Sequence, residues 1–234
     1  MTTEELEEIV KRQPHEAWPG YKRRAMALHL SVNCGAMIKR GFDIAVATAG
    51  LLCLSPVFAV LAILIKLDSS GPVFFRQERV GRRLQPFIIY KFRTMKVDAQ
   101  RRGGLLTLGE DPRITRIGRL LRRKKLDELP QLINVLRGEM SIVGPRPEVP
   151  AYVEPFRNDY EEILQVRPGI TDVASVMYYN EAVILGQASD PDELYRKCIL
   201  PAKLKLSKEY VHRSCLAFDL IVILKTLAAL TRGA

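Results

Sequence analysis

The chain of 234 residues carries 36 Lys and Arg against 26 Asp and Glu, a net charge of +10, and is 47% apolar. That is room for one domain with a real core, and it excludes a disordered or collagen-like chain. The excess charge is local: residues 66–137 hold 18 basic and 7 acidic groups, so this block suits an anionic partner, whether lipid headgroups, nucleic acid or a phosphorylated substrate. Four scattered Cys and three distant His argue against a zinc site or a disulfide scaffold and fit a reducing compartment.

Residues 1–37 read as a polar leader. TTEELEEIVKR opens like a capped helix, Pro14, Pro19 and Gly20 break it, and residues 22–40 suit a helix lying on a membrane surface. Ile44 to Ile65 is then an uncharged run of 22 residues. As a helix rising about 1.5 Å per residue it would just cross a bilayer core of about 30 Å. A buried core helix is the alternative. Pro56 lacks a backbone donor, which predicts a kink at mid-run, and the Ser55 hydroxyl could satisfy a freed backbone group. Arg24, Lys39 and Arg40 on one flank and Lys66, Arg76, Arg79, Arg82 and Arg83 on the other make both sides basic. This favours a re-entrant helix, with both flanks cytoplasmic, over a plain span.

Ser69-Ser70-Gly71-Pro72 predicts a turn, followed by short strands at 73–75 and 86–90 around a Gly81 turn. Thr115 to Lys125 is a basic amphipathic stretch with Ile114, Ile117, Leu120 and Leu121 on one face. It suits either an anionic headgroup layer or an ordinary solvated surface. A helix over 131–136 should stop at Arg137-Gly138, and Gly144 to Pro147 and Arg167 to Gly169 are rigid turns. Asp190 should cap a long helix with Pro191 at its first position, running toward Arg213 with a kink at Pro201. Leu216 to Leu230 is a last apolar helix, interrupted by Asp219 and Lys225 and too short to span. The expected class is α+β and mostly helical: a re-entrant membrane helix, interfacial amphipathic helices and a small β-hairpin around an active site at the cytosolic face.

No phosphate-binding P-loop, dinucleotide fingerprint or nucleophile elbow occurs. Asp190 and Asp192 form one Asp-x-Asp, which reads as helix capping in preference to a metal pair. Lys91, Arg93, Arg122, Arg123, Arg146 and Arg167 are cations available for phosphate. Lys91 and Arg93 alternate along a strand, and Arg146 between two prolines suits a bidentate grip. Asp127-Glu128 is an acidic pair in this basic neighbourhood. Its carboxylates should be ionised and competent as nucleophile or Mg²⁺ ligand, with helix capping as the alternative.

Several motifs occur in order: Lys39-Arg40-x-x-Asp43, Ser55-Pro56, Gly71-Pro72-Val73-x-Phe75-x-Gln77-x-Arg79-x-Gly81 and Tyr90-Lys91-Phe92-Arg93-Thr94-Met95. Leu126-Asp127-Glu128-Leu129-Pro130-Gln131, Asn134-Val135-Leu136-x-Gly138, Met140-Ser141-x-Val143-Gly144-Pro145-Arg146-Pro147 and Arg167-Pro168-Gly169-Ile170-Thr171 follow. The series closely resembles the bacterial sugar transferase family, the monotopic phosphoglycosyl transferases, over residues 38–230, leaving the leader 1–37 outside a transferase domain of 38–234. The resemblance implies transfer of a phosphosugar from a nucleoside-diphosphate sugar, usually a UDP-sugar, to polyprenyl phosphate at the cytoplasmic face of the bacterial inner membrane. The products are polyprenyl-diphospho-sugar and UMP, which begin a surface polysaccharide or glycoconjugate. It further implies Asp127 as nucleophile through a covalent aspartyl intermediate, Glu128 as holder of Mg²⁺, and Lys91, Arg93, Arg122 and Arg146 as phosphate-handling cations. Asp219 and Arg167 support the site, and Ser55-Pro56 breaks the membrane helix. Downstream glycosyltransferases are implied partners. After Thr171 the sequence departs from the family's usual Gly-Trp-Ala-Gln-Val-Asn-Gly-Arg, reading Asp172 to Asn180 instead. An inactive assembly protein of the same fold is the rival reading. Nucleic acid is not an expected partner, since no aromatic-basic RNA motif or DNA-reading helix accompanies the basic charge.

Overall fold

A computed structural model describes residues 32–97, 99, 104, 106–108 and 111–232. The leader helix expected over 2–12, and the part of the second one before residue 32, lie outside the described residues. The elements bear out a mixed, mostly helical fold with one small hairpin and one long apolar helix.

That helix, α1 (Val32–Asp68), is one continuous element through Pro56. Pro56 cannot donate to Leu52, and the Ser55 hydroxyl supplies the missing bond to the Leu52 carbonyl at 2.8 Å. One side of α1 packs on the body through Ala47, Leu61 and Ile65, while Leu52, Val60, Ile63 and Leu67 stay exposed. Both ends are tied to the same body. Near the N-terminal end, Lys39 donates to Asp219, to the Tyr210 hydroxyl and to the Val143 carbonyl. Asp43, 3% exposed, accepts from Ser141 Oγ and the Ile142 N–H. At the C-terminal end, the orphan carbonyls are taken by Arg93, which donates to Ile65, Ser69 and Ser70. Asp68 accepts from the Ile117 N–H at 3.0 Å.

β1 (Phe74–Val80) and β2 (Pro86–Phe92) pair antiparallel, with Phe75 opposite Lys91 and Arg79 opposite Phe87. The hairpin is longer than expected, because β1 continues through polar Arg76 to Arg79 with one face half-buried and the other exposed. Its connection is a 3-10 turn, Arg82–Leu84, closed by the Gly81 N–H on the Gln85 carbonyl. α2 (Arg116–Arg123) starts at Thr115, whose hydroxyl accepts from the Gly118 N–H. Leu121 is fully buried, but Leu120 is 49% exposed. The four apolar residues therefore do not share one buried face; Leu120 points outward, on the far side of the helix from Gly118. A Cβ on Gly118 would come within 2.0 Å of the Thr94 carbonyl oxygen, so only glycine lets α2 lie this close to the end of β2. Leu61, Ile65, Phe92 and Leu121 form a small core joining α1, the hairpin and α2, with the Phe58 and Phe92 rings 5.0 Å apart.

α3 (Gln131–Arg137) ends as expected at Gly138, whose φ of +83° forms a left-handed cap. Two short parallel strands, β3 (Ser141–Val143) and β4 (Gly169–Thr171), bracket α4 (Pro150–Val153) and α5 (Arg157–Ile163). After β4 come α6 (Val173–Met177) and α7 (Glu181–Gly186). Asp190 caps α8 (Pro191–Leu194) by accepting from the Glu193 N–H. Asp192 accepts from Tyr152 and pairs with Arg196, so this Asp-x-Asp serves the helix start. The long helix expected from Asp190 is interrupted by a π turn at Tyr195–Ile199 before α9 (Leu200–Arg213). Pro201 can neither donate nor accommodate the carbonyl of Lys197, and the widening falls on the turn that holds Lys197. α10 (Leu216–Arg232) closes the chain. The main core lies among α5, α6, α8 and α9, around Tyr160, Ile163, Leu194 and Ile199.

Candidate active site

A cleft of about 1390 Å³ opens between the hairpin, α2, the Asp127 turn, the Arg146 loop, α6 and α7, and the end of α10. That exceeds the usual range for one small ligand, about 300–1,000 Å³, and leaves room for two.

Asp127 and Glu128 sit on a 3-10 turn, Leu126–Glu128, entered through Lys125 at φ +53°. They do not cap α3. Its N-cap is Pro130, with no side-chain bond. The sharp entry turns both carboxylates inward, leaving Asp127 7% and Glu128 9% exposed. Their environments differ. Glu128 Oε1 accepts from Lys91 Nζ at 2.7 Å and from Arg146 Nη2 at 2.5 Å, while Oε2 has only a long contact of 3.4 Å to Arg146 Nη1. Burial alone would raise the Glu128 pKa, but Arg146 and Lys91 outweigh it and hold the carboxyl well below the ordinary range. Burial pushes Lys91 down, against the pull of Glu128. Arg146 is pushed up, chiefly by Glu128.

Asp127 has no such partner. Its Oδ1 is buried and makes no hydrogen bond. Burial and the neighbouring Glu128 charge raise its pKa, while Lys91, Arg122 and Lys125 pull it down. Both carboxyls were expected to be ionised by their basic surroundings; for Asp127, burial works against this. An anion that is desolvated, uncommitted and ringed by cations is a better nucleophile than a solvated one. Arg122 stands beside it, its Nε donating to Thr94 Oγ1 at 2.8 Å.

Lys91, Arg122 and Arg146 therefore join Asp127 and Glu128 on the cleft wall. Five other residues singled out in the sequence make their contacts elsewhere. Arg93 borders the cleft with Lys91, but its guanidinium is spent on the end of α1, donating to Ser69 and Ser70. Arg167 donates to the Gly138 carbonyl at 2.7 Å and steadies the end of α3. Asp219 belongs to the buried Lys39–Tyr210 cluster, and Ser55 and Pro56 lie along α1. Residues not singled out also line the cleft. Arg79 pairs with Glu148 at 3.2 Å, and Glu148 accepts from Tyr195. Lys203 pairs with Glu181. Arg79 was legible in principle: hairpin register puts it on the same face as Lys91.

A hard divalent cation takes oxygen ligands, commonly one or two carboxylates plus substrate phosphate and water. The donor set fits. Glu128 Oε2 keeps free lone-pair capacity, so Glu128 could hold Mg²⁺ from that side while Lys91 and Arg146 occupy Oε1, leaving Asp127 Oδ1 unclaimed.

A sequence model described as bacterial sugar transferase matches residues 34–233. The chain is 37% identical over 205 residues to a UDP-N-acetylgalactosamine-undecaprenyl-phosphate N-acetylgalactosaminephosphotransferase of Aeromonas hydrophila, covering 85% of this chain and 44% of that protein. It is 39% identical over 193 residues to the UDP-glucose:undecaprenyl-phosphate glucose-1-phosphate transferase of Escherichia coli (strain K12), covering 81% and 39%. It is 38% identical over 205 residues to the exopolysaccharide production protein PSS of Rhizobium leguminosarum bv. phaseoli, covering 84% and 97%. The chain thus spans less than half of the first two and nearly all of the third.

Proposed function

Because the chain belongs to the bacterial sugar transferase family, we propose that it moves a phosphosugar from a nucleoside-diphosphate sugar, most simply a UDP-sugar, to polyprenyl phosphate. The observation that carries this is the unpartnered, buried carboxylate of Asp127 among Lys91, Arg122 and Lys125. A merely structural carboxylate at this depth would be paired, as Glu128 is.

The donor diphosphate lies against Lys91, Arg122 and Arg146, whose charges offset the repulsion between two anions. Asp127 Oδ1 attacks the sugar-bearing phosphorus. An acyl-phosphate O–P bond forms, and the P–O bond to the nucleotide breaks, releasing UMP with that bond's electron pair. The phosphate oxygen of the polyprenyl acceptor then attacks the same phosphorus. The Asp127–P bond breaks, regenerating the carboxylate and giving polyprenyl-diphospho-sugar. Glu128, backed by Lys91, would hold Mg²⁺, which supplies further neutralisation of phosphate charge when bound. Splitting one transfer into two is the gain of the covalent route, and a cleft with room for both substrates suits it. Such a product begins the assembly of a surface polysaccharide or glycoconjugate, with glycosyltransferases acting after it.

The membrane reading rests on α1. Its apolar window, within Gly35–Asp68, is only 11% buried. Its two ends, at Asp43 and Asp68, nevertheless bind one charged body. A helix crossing a bilayer would carry one of those ends to the opposite side. This supports a helix held with both ends at a single face, which we assign to the cytoplasmic face of the inner membrane, where both basic flanks belong. Single cysteines placed at Met37 and Leu67, both exposed, in a protein whose native cysteines are replaced, should both react with a membrane-impermeant maleimide only after the cytoplasmic side is opened. Labelling of one from each side would establish a plain span.

Product identity tests the transfer itself. Phosphosugar transfer releases UMP and glycosyl transfer releases UDP. Incubation of the full chain in detergent with polyprenyl phosphate, Mg²⁺ and a panel of UDP-sugars should release UMP, and removal of Mg²⁺ should abolish it. UDP as the main product would refute the reading.

A further inference from the structure

The cleft has a second polar end that the transfer chemistry leaves unused. Tyr178, Tyr179 and Glu181, at the junction of α6 and α7, line it, with Lys203 of α9 beside them. Glu181 accepts from Lys203 Nζ at 2.8 Å. Lys203 is 7% exposed, and its ammonium stands 5.3 Å from the centre of the Tyr195 ring. Tyr178 is 3% exposed, and its hydroxyl has no hydrogen-bond partner. Burial raises the pKa of that phenol, and Lys203 and Glu181 are close enough to act on it with opposite sign. Tyr179 completes the path to the reacting end: its ring lies 6.0 Å from Lys125 Nζ, two residues before Asp127.

A carboxylate at this end repels phosphate oxygens, and the phosphates already have Lys91, Arg122 and Arg146. Glu181 offers acceptors, Lys203 holds Glu181 in place, and Tyr178 offers a hydroxyl that can donate or accept. A neutral ring bearing several hydroxyls needs this mixture. A buried hydroxyl without a partner is costly, and a ligand hydroxyl recovers that cost. In a diphosphate sugar the ring is bonded directly to the phosphate that Asp127 attacks, so it must lie against wall adjoining the Asp127 turn. Tyr179 marks the start of that wall.

The geometry points to a donor-sugar subsite in which Tyr178 and Glu181 hydrogen-bond the sugar's hydroxyls and Lys203 positions Glu181. It rests on the phosphosugar transfer proposed above. Tyr178→Phe removes one hydroxyl from an otherwise unchanged ring, and Glu181→Gln keeps an amide oxygen toward Lys203 while removing the charge.

Equilibrium binding separates this subsite from the chemistry. The full chain carrying Asp127→Asn, which forms no adduct, is titrated in detergent with a panel of UDP-hexoses and UDP-N-acetylhexosamines, and with UMP, which lacks the sugar. Adding Tyr178→Phe should weaken the preferred UDP-sugar about 5-fold and adding Glu181→Gln about 10-fold or more. UMP should bind both variants as it binds the Asp127→Asn parent. Equal weakening of UMP would assign these residues to the nucleotide or to folding and overturn the subsite, as would unchanged affinity for every UDP-sugar. Sugar discrimination in a protein that releases UDP would leave the subsite standing and sink the transfer reaction instead.

Discussion

Asp127→Asn is expected to lower UMP release by about 10⁴-fold or more, the scale of losing a covalent nucleophile, while leaving the protein as stable as before. The second half is the informative one. Asp127 Oδ1 makes no hydrogen bond and is buried, so the wild-type carboxylate is held in the fold at a cost that the neutral amide reduces. A helix-capping Asp would behave in the opposite way, losing about 0.5–2 kcal/mol of stability with turnover largely kept. Thermal unfolding and UMP release on the same preparation distinguish the two. A stable Asp127→Asn protein with near-normal release would remove Asp127 from the chemistry.

Glu128→Gln should cost both activity and stability. Its carboxylate is the shared counter-charge of Lys91 and Arg146, two cations that are themselves largely buried. Removing one partner of a buried pair leaves the others uncompensated, at about 3 kcal/mol. Lys91, already pushed down by burial, should then lose its proton more readily. Loss of turnover of about 10²-fold or more should accompany this, since the phosphate cations lose their alignment. The wild-type pair also has a pH signature. The Glu128 pKa in the folded protein lies well below its ordinary 4.5. Its contribution is therefore complete above that value and is lost as pH falls below it. Denaturant titrations of wild type and Glu128→Gln should converge toward acid and diverge toward neutral pH. Parallel stability curves would show that the ion pairs carry no net stabilisation.

The two variants therefore separate the roles of adjacent carboxylates that the sequence presents as one acidic pair. The pair itself was legible because it stands in a basic block, and the helix that follows was legible from its apolar spacing and Gly138. Capping or chemistry could not be decided there, because the choice depends on a three-residue turn entered through a left-handed Lys125, a local strain that Lys does not advertise. Arg146 between two prolines was readable as a rigid cation for a similar local reason. Arg93 and Arg167 looked equivalent to it in sequence, since charge and spacing do not say which carbonyls a guanidinium will meet. Here those carbonyls belong to the ends of α1 and α3. α1 itself announced its length and its Ser55 repair of Pro56. That both its ends dock on one body depends on distant partners: Val135 for Arg40 and Asp219 for Lys39, 95 and 180 residues away, and Ile117 for Asp68, 49 residues away. The Tyr178–Glu181–Lys203 cluster draws on the junction of α6 and α7 and on α9 and likewise has no short-range signature.

The central claim is a bond between Asp127 and phosphorus, and intact-protein mass measurement reads it directly. The full chain is mixed with Mg²⁺ and its preferred UDP-sugar, without polyprenyl acceptor, and quenched. The account predicts a mass increase of one phosphosugar, localised by peptide mapping to Asp127, that disappears when polyprenyl phosphate is added and never forms in Asp127→Asn. Turnover to UMP and polyprenyl-diphospho-sugar with no adduct at any quench time, or an adduct that persists in Asp127→Asn, would contradict it.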